Sequence, residues 1–391
     1  MSKKKIVLRI ITRLNNGGPA KQAVWLSGLM DKNCFETILL AGINEGDEDD
    51  ISWYARKYNV SPVIIPYLRR SVNLFRDIFS FIKILHVIIR IRPDIVHTHM
   101  SKAGFIGRGA AILFNLFHRK KIVTIHTFHG HVFHSYFSGI KTRLFICLEK
   151  ILARKTDSLI CISPRLKNEI QHIVKISNCE KFQIIPLGID YKPLRKKNSR
   201  ESQHANFTVG MLGRIAPIKN YNLAMEIARV LAGKKIPANI LIGGGGSADD
   251  FKALRQFQLS NVSFLGNVED PREFWDAVDI AMITSKNEGT PVSLIEAMFS
   301  GLPFVASEVG GIPDMAFSSM KMDGNLLVYG NCILIRGFDP EDFVRAIHCF
   351  TDSEFRRTAG ALGEKHASEK YSISRLIRDM ETLYKQVLKY E

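Results

Sequence analysis

KNEGTPVSLIEAMFSGLPFVA, residues 286–306, carries two glutamates, Glu288 and Glu296, with seven residues between them. The stretch reads as a loop entering a helix after a buried apolar strand over 279–284. One glutamate then sits at the helix mouth and the other about a turn or more inside. The positive end of a helix also receives anions. The pattern therefore fits a polar, hydroxyl-rich ligand that carries phosphate, such as a nucleotide-activated sugar.

Working outward, the same alternation of strand and helix recurs. Short apolar runs at 207–212, 239–242, 262–265, 280–284 and 304–306 are separated by helical patterns over 222–232, from 248 and around 272–277. The first half behaves alike, with strands at 5–11, 36–41, 62–66, 95–97, 122–127, 158–162 and 183–185. Helices are expected there at 20–30, 51–58 and 74–90. Such alternation implies parallel sheets covered by helices on both faces. The expected fold is α/β, with two Rossmann-like doubly wound domains facing a cleft into which both offer loops at strand carboxyl ends. The polar segment GIDYKPLRKKNSRESQHAN divides them. The expected boundaries are 1–188, a linker at 189–206, 207–372, and a basic-amphipathic helix at 373–391 able to pack back on the first domain.

Bulk properties agree with a folded two-domain chain. There are 391 residues, 46% of them apolar and 9% aromatic, which excludes a disordered protein. No uncharged apolar run reaches the length of a membrane span, since 78–91 is broken by Lys83, His86 and Arg90. MSKKKIVLRII has no secretory apolar region and reads as a first strand with a charged lead-in. Six cysteines without CxxC spacing suit reduced, mostly buried thiols in the cytoplasm. The net charge of +16 lies in the first half: residues 1–190 hold 29 Lys and Arg against 14 Asp and Glu, and the remainder is nearly balanced. Different partners are expected for the two halves, with an anionic membrane, a phosphorylated acceptor or nucleic acid facing the basic one.

In GRIAPIKNYNLAMEIA, residues 213–228, Arg214 and Lys219 follow a strand and precede a helix. Two cations there suit a diphosphate, which they neutralise when bound and stabilise when it departs. Two ordinary surface cations explain the spacing as well. GRIAPIKN, the strand with its GGGG turn, FLGNVED and SKNEGTPVSLIEAMFSGLPFVASEVGG occur in one order. Further upstream stand PDIVHTHMSKAGFIGR, VTIHTFHGHVF, LICISP and IIPLGID. In this set the chain resembles the family 4 retaining glycosyltransferases of GT-B fold, most strongly over 207–314.

The resemblance implies roles residue by residue. Arg214 and Lys219 match the pair that grips the donor diphosphate, Glu288 the glutamate that contacts sugar hydroxyls, and Glu296 the one that holds the ribose. Gly17 and Gly18 match an N-terminal loop where bare backbone admits phosphate or acceptor, with Pro19 at the first helical position. His129 matches a histidine beside the anomeric carbon, orienting and electrostatic in role and no displacement nucleophile. Where many relatives carry a glycine whose amide helps bind the sugar, this chain has Pro291, which lacks an N–H; Thr290 and Val292 remain as donors.

His97, His99, His126, His129, His131 and His134 cluster near two strand ends. Their spacing fits no standard ligand pattern, and the resembled chemistry needs no metal or other cofactor. His97, His126 and His134 are expected to be satisfied by backbone. The acidic run at 46–50 reads as a solvated turn, Asp249 and Asp250 as helix N-terminal charge, and GGGG as a tight turn or a nucleotide approach.

Arg69, Arg70, Arg76, Lys83 and Arg90 flank Phe75, Ile78, Phe79, Ile82, Leu85 and Ile89. Lys141, Arg143, Lys150, Arg154 and Lys155 flank Phe145, Ile146 and Leu148 in the same manner. Either the apolar stripes face the core, or the basic surface contacts anionic lipid; charge concentration favours lipid, and no nucleic-acid module is evident.

The sequence thus leads to a metal-independent, retaining hexosyltransferase. It would move a hexose or N-acetylhexosamine from a nucleotide sugar, with UDP preferred, to a lipid-linked saccharide for surface polysaccharide or glycoconjugate. Its expected place is cytoplasmic, peripheral on the inner membrane face. The competing readings are a UDP-sugar epimerase of related fold and a catalytically silent, nucleotide-binding membrane scaffold.

Overall fold

The computed structural model describes residues 3–46, 50–130, 139–176, 179–194 and 207–389. His131, His134, Asp47, Glu48, Asp49 and most of the expected linker lie outside them. The chain divides into two compact units, 1–188 with 373–391, and 189–372.

The first unit holds a seven-stranded, wholly parallel sheet. Its strands are β1 (Lys5–Ile11), β2 (Phe35–Ala41), β3 (Val63–Ile64), β4 (Ile95–His99), β5 (Val123–Phe128), β6 (Ser158–Cys161) and β7 (Phe182–Ile184), in the order β3-β2-β1-β4-β5-β6-β7. The largely apolar runs of β1 and β6 follow from burial of both faces. Strand order reverses between β1 and β4, which pair in parallel with Arg9 opposite His97 and Ile11 opposite His99. At such a switch point the flanking loops diverge and leave room for a ligand.

The helix Ile373–Leu388 belongs to this unit. Leu376, Met380, Leu383 and Tyr384 are buried against Val7, Leu26, Phe35, Ile95 and Ile125. Arg375 donates to the carbonyls of Pro186 and Leu187, and Glu381 accepts from the amide of Asp31 at 2.7 Å. Tyr384 also meets a charge in the sheet: the fully buried Arg9 donates to its hydroxyl at 2.9 Å. Between flanking helices, Arg108 and Glu149 form a buried pair with two bonds of 2.8 Å, the geometry that a desolvated ion pair requires.

The described residues of the second unit form eight strands: β8 (Phe207–Leu212), β9 (Ala238–Gly243), β10 (Val262–Gly266), β11 (Ile280–Ile283), β12 (Phe304–Ser307), β13 (Lys321–Asp323), β14 (Leu326–Val328) and β15 (Cys332–Ile335). Their order is β10-β9-β8-β11-β12-β15-β14-β13, parallel except for β13 and β14. Here the order reverses between β8 and β11. A core cluster of the unit is built on Val209, Ile240, Ile280, Met282, Val305 and Ile333 from the sheet and Leu223, Ile227, Phe343 and Ile347 from helices.

The helix Leu74–Ile91 turns only part of its apolar surface to the core, as the lipid-facing alternative requires. Ser80, Ile84 and Ile88 turn inward, whereas Leu74, Phe75, Ile78, Phe79, Ile82 and Ile89 are exposed, Phe75 at 75%. The helix has more apolar faces than the core can cover. In the second basic segment, by contrast, Phe145 and Ile146 pack on the core. The cysteines are also less uniform than expected: Cys161 and Cys332 are buried, but Cys147 and Cys349 are exposed.

Candidate functional site

The candidate residues fall in both units, in the loops and helices that follow strand carboxyl ends. In the second unit, β8 ends at Leu212 and the chain runs through a one-turn helix, Pro217–Lys219, to Asn220 in the left-handed region at φ 52°. Thr284, just beyond β11, fixes that turn by donating to the carbonyls of Lys219 and Asn220 at 3.0 and 3.1 Å. Tyr221 holds the strand end, its hydroxyl donating to the carbonyl of Gly213 at 2.7 Å. The turn therefore aims the Lys219 ammonium across to the loop after β11. There it meets Glu288 Oε1 at 2.5 Å, and the same oxygen accepts from Ser285 Oγ at 2.6 Å.

The glycine run packs beneath this loop. Gly244 has φ +138°, and a Cβ there would stand 2.0 Å from the carbonyl oxygen of Gly213, so only glycine lets the two backbones approach. Gly213 N–H donates to Gly243 and Ile215 N–H to Gly245. Close packing of loops after neighbouring strands accounts for the run. On the other side, Gly311 N–H donates to the Glu288 carbonyl at 3.0 Å, and Gly310 at φ +54° would drive a Cβ to within 1.8 Å of that oxygen.

Glu288 lies three residues before Pro291, the N-cap of the helix Val292–Phe299, and so stands in the loop ahead of the helix mouth. Pro291 supplies no side-chain cap, which leaves the first amides of the helix, Val292 among them, aimed outward as at any helix start. Thr290 is half-buried at the loop's end. Glu296 is the fifth helical residue and buried, and Trp275 Nε1 donates to it at 3.4 Å. Arg214 leaves the same strand as Lys219 but is exposed. Hydrogen bonds from Ser247 first, and then Arg214, hold the Asp250 carboxyl below its usual range. Asp250 closes a capping box with Ser247, which goes beyond the plain N-terminal charge expected of it.

In the first unit, Gly17 caps the helix Gly18–Gly28, so Pro19 is its second residue and not its first. Neither glycine has positive φ, and a Cβ on Gly17 would make only an ordinary 3.4 Å contact with Asn15. The fold itself does not demand Gly17. Its amide is committed to the Asn15 carbonyl at 2.7 Å, so it is no free phosphate donor.

The histidines are more organised than the sequence indicated. His97 and His126 are buried strand residues satisfied by side chains, which corrects the expectation of backbone partners. His97 bonds Tyr384 Oη at 2.5 Å and Thr127 Oγ1 at 2.8 Å, and His126 Nδ1 bonds Thr98 Oγ1 at 2.8 Å. His99 Nδ1 stands 2.9 Å from Nε2 of His129, just after β5. Sequence reading left His99 without a role, although the H-T-H alternation already put His97 and His99 on one face of a strand. Burial pushes His129 down to about 3. Burial first, then Arg9 for His97 and His97 for His99, holds those two well below the usual range, and burial with Arg108 does so for His126. Among the described residues no cluster of three or more His, Cys, Asp or Glu is placed to hold a metal ion.

Residues 206–352 match the family of glycosyl transferases group 1, and residues 17–192 match glycosyltransferase family 4. An Escherichia coli UDP-Gal:alpha-D-GlcNAc-diphosphoundecaprenol alpha-1,3-galactosyltransferase is 28% identical over 76% of this chain and 76% of its own. The capsular polysaccharide biosynthesis glycosyltransferase CapM of Staphylococcus aureus is 26% identical over 83% and 85%. The fold matches Anabaena Alr3699/HepE, crystallised with UDP and glucose, at a TM-score of 0.75 over 97% of this chain and 99% of that one, with 18% identity.

The neutral histidines predict acid sensitivity. An unfolded histidine takes a proton near its ordinary pKa of about 6.5, whereas these do not, so below that pH the unfolded chain binds more protons and stability falls. The loss is at most about 1.4 kcal/mol per histidine per pH unit, and it precedes carboxylate titration. Urea midpoints of the first unit should fall between pH 7 and 5; a flat profile over that range contradicts buried, neutral rings.

With matches to both halves of the chain and the two-unit fold in agreement, the chain belongs to the group 1 and family 4 glycosyltransferases of GT-B fold, whose relatives serve bacterial polysaccharide and lipid-linked glycan synthesis.

Proposed function

We propose that this glycosyltransferase retains anomeric configuration and moves a hexose or N-acetylhexosamine from a UDP-sugar to a lipid-linked saccharide, without a metal. The observation that carries the reading is the Lys219–Glu288 pair at the strand switch of the second unit, beside an uncapped helix start. A carboxylate and an ammonium at 2.5 Å offer a sugar hydroxyl an acceptor and a phosphate a cation in one place. The donor named for the E. coli relative and the UDP and glucose held by the Anabaena structure support the nucleotide and the sugar class.

In this mechanism Arg214, Lys219 and the amides of Val292 and its neighbour face the diphosphate, Glu288 and Thr290 face the sugar, and Glu296 faces the ribose. Gly18, the first residue of the helix that Gly17 caps, borders the acceptor, and His129 orients the reacting centre. The bond from the anomeric carbon to the diphosphate breaks, and its electron pair leaves with the phosphate oxygen. The acceptor hydroxyl forms the new bond on the same face and gives its proton to that oxygen. Cations fixed in advance stabilise the departing charge, an effect typically worth about a hundredfold or more in rate.

We assign the enzyme to the cytoplasmic membrane face because the acceptor proposed for it is lipid-linked; no described helix is long and apolar enough to cross a membrane. The exposed row Leu74, Phe75, Ile78, Phe79 and Ile82, with exposed Arg70, Lys83 and Arg90 around it, suits an anionic bilayer: apolar rings enter and cations stay at the headgroups.

Glu288→Gln and Lys219→Ala should each lower transfer by about a hundredfold while the protein stays folded. Near-wild-type turnover in both sinks the reading, and efficient acceptor-free conversion of the UDP-sugar to an isomer points to an epimerase instead. The full chain should float with vesicles containing phosphatidylglycerol, and Phe75→Asp with Phe79→Asp should abolish flotation without slowing transfer to a water-soluble acceptor. Flotation that survives both changes excludes this face.

A further inference from the structure

The pair His99–His129 is joined by one hydrogen bond, Nδ1 to Nε2 at 2.9 Å, with ring centroids 5.2 Å apart. A neutral imidazole carries a single N–H, so one ring donates and the other accepts. His99 Nε2 is buried and has no hydrogen-bond partner. The His97 ring covers His99 at 4.3 Å, with both its own nitrogens engaged by Tyr384 and Thr127.

Two proton arrangements are open. If His129 donates through Nε2, the proton of His99 must sit on Nε2, stranding a buried N–H. If His99 donates through Nδ1, its Nε2 is left as a bare acceptor and the proton of His129 sits on Nδ1. A buried donor without an acceptor is rarer and costlier than an acceptor left unfilled, so the second arrangement prevails. We infer that His99 is a positioning residue that locks His129 as the Nδ1–H tautomer, so that His129 presents a hydrogen-bond donor to an oxygen of the bound substrate. The consequence for transfer rests on the place proposed above for His129; the tautomer does not.

An Nδ1–H ring whose Nε2 is already hydrogen-bonded has no lone pair to take the proton of an acceptor hydroxyl. His129 then stabilises negative charge developing on a substrate oxygen, and the hydroxyl proton goes to the departing phosphate. The strand explains the precision: β4 and β5 pair with His99 opposite Thr127, so the two rings sit on adjacent rigid ends of one sheet.

The test is a two-bond proton–nitrogen correlation spectrum of the histidine-labelled full chain, with His129→Gln identifying the His129 signals. In the wild-type protein without substrate, His129 should be protonated at Nδ1 and bare at Nε2; the reverse pattern overturns the inference, whatever the variants do. His99→Phe removes the donor and should release His129 to the Nε2–H form or a mixture, whereas His99→Asn, whose amide can donate from a similar position, should restore Nδ1–H. Retention of Nδ1–H in His99→Phe also overturns it. Transfer in His99→Phe should fall about tenfold in kcat, as for one lost hydrogen bond, with KM for the donor within about twofold and recovery in His99→Asn. A wild-type chain with the expected tautomer but no transferase activity would remove the proposed function and leave this assignment standing.

Discussion

Lys219 and Glu288 meet at 2.5 Å although 69 residues separate them, and they do so because β8 and β11 lie side by side in parallel. Parallel pairing puts both carboxyl ends at the same edge, and reversal of strand order there sends the two following helices to opposite faces. The loops are left alone at the edge and brace one another: Thr284 ties the Lys219 turn, Gly244 slides under Gly213, and Gly310, lacking a Cβ, lets the Glu288 carbonyl come close enough to accept from the Gly311 amide. An ammonium and a carboxylate held this way have lost their freedom before any ligand arrives. That preorganisation makes the pair chemically useful, since a floppy surface pair would contribute little.

The first unit solves a different problem with the same topology. Its switch point is lined by imidazoles that burial keeps neutral, above a buried Arg9 whose charge is shared with Tyr384 from the far end of the chain. A fully buried guanidinium without good hydrogen bonds is costly, which gives the helix Ile373–Leu388 a polar reason as well as an apolar one to dock there. The two units thus differ in chemistry: fixed charges in the second, uncharged hydrogen-bonding rings in the first.

Much of this was legible because periodicity survives in single segments. β1 at 5–11 and β8 at 207–212 carry apolar runs between unmistakable polar ends, and Arg214, Lys219, Glu288 and Glu296 stand in motifs. Short strands such as Leu326–Val328 and Lys321–Asp323 offer only three residues each and no period to read. The helix Ser101–Phe117 is masked by glycines at 104, 107 and 109, poor helix formers. What no local pattern contains is a long-range contact: that Lys219 pairs with Glu288, that His99 holds His129, or that Phe75 and Phe79 look outward. Those are decided by which strands become neighbours and by how much of a helix the core has room to cover.

The central claim, that the loops after β8 and β11 form the nucleotide-sugar site, is tested most directly by amide hydrogen exchange with and without UDP. The account predicts protection at 213–220 and 284–296, with the first unit's sheet unchanged. Binding of UDP with protection elsewhere, and none in those two segments, would contradict it.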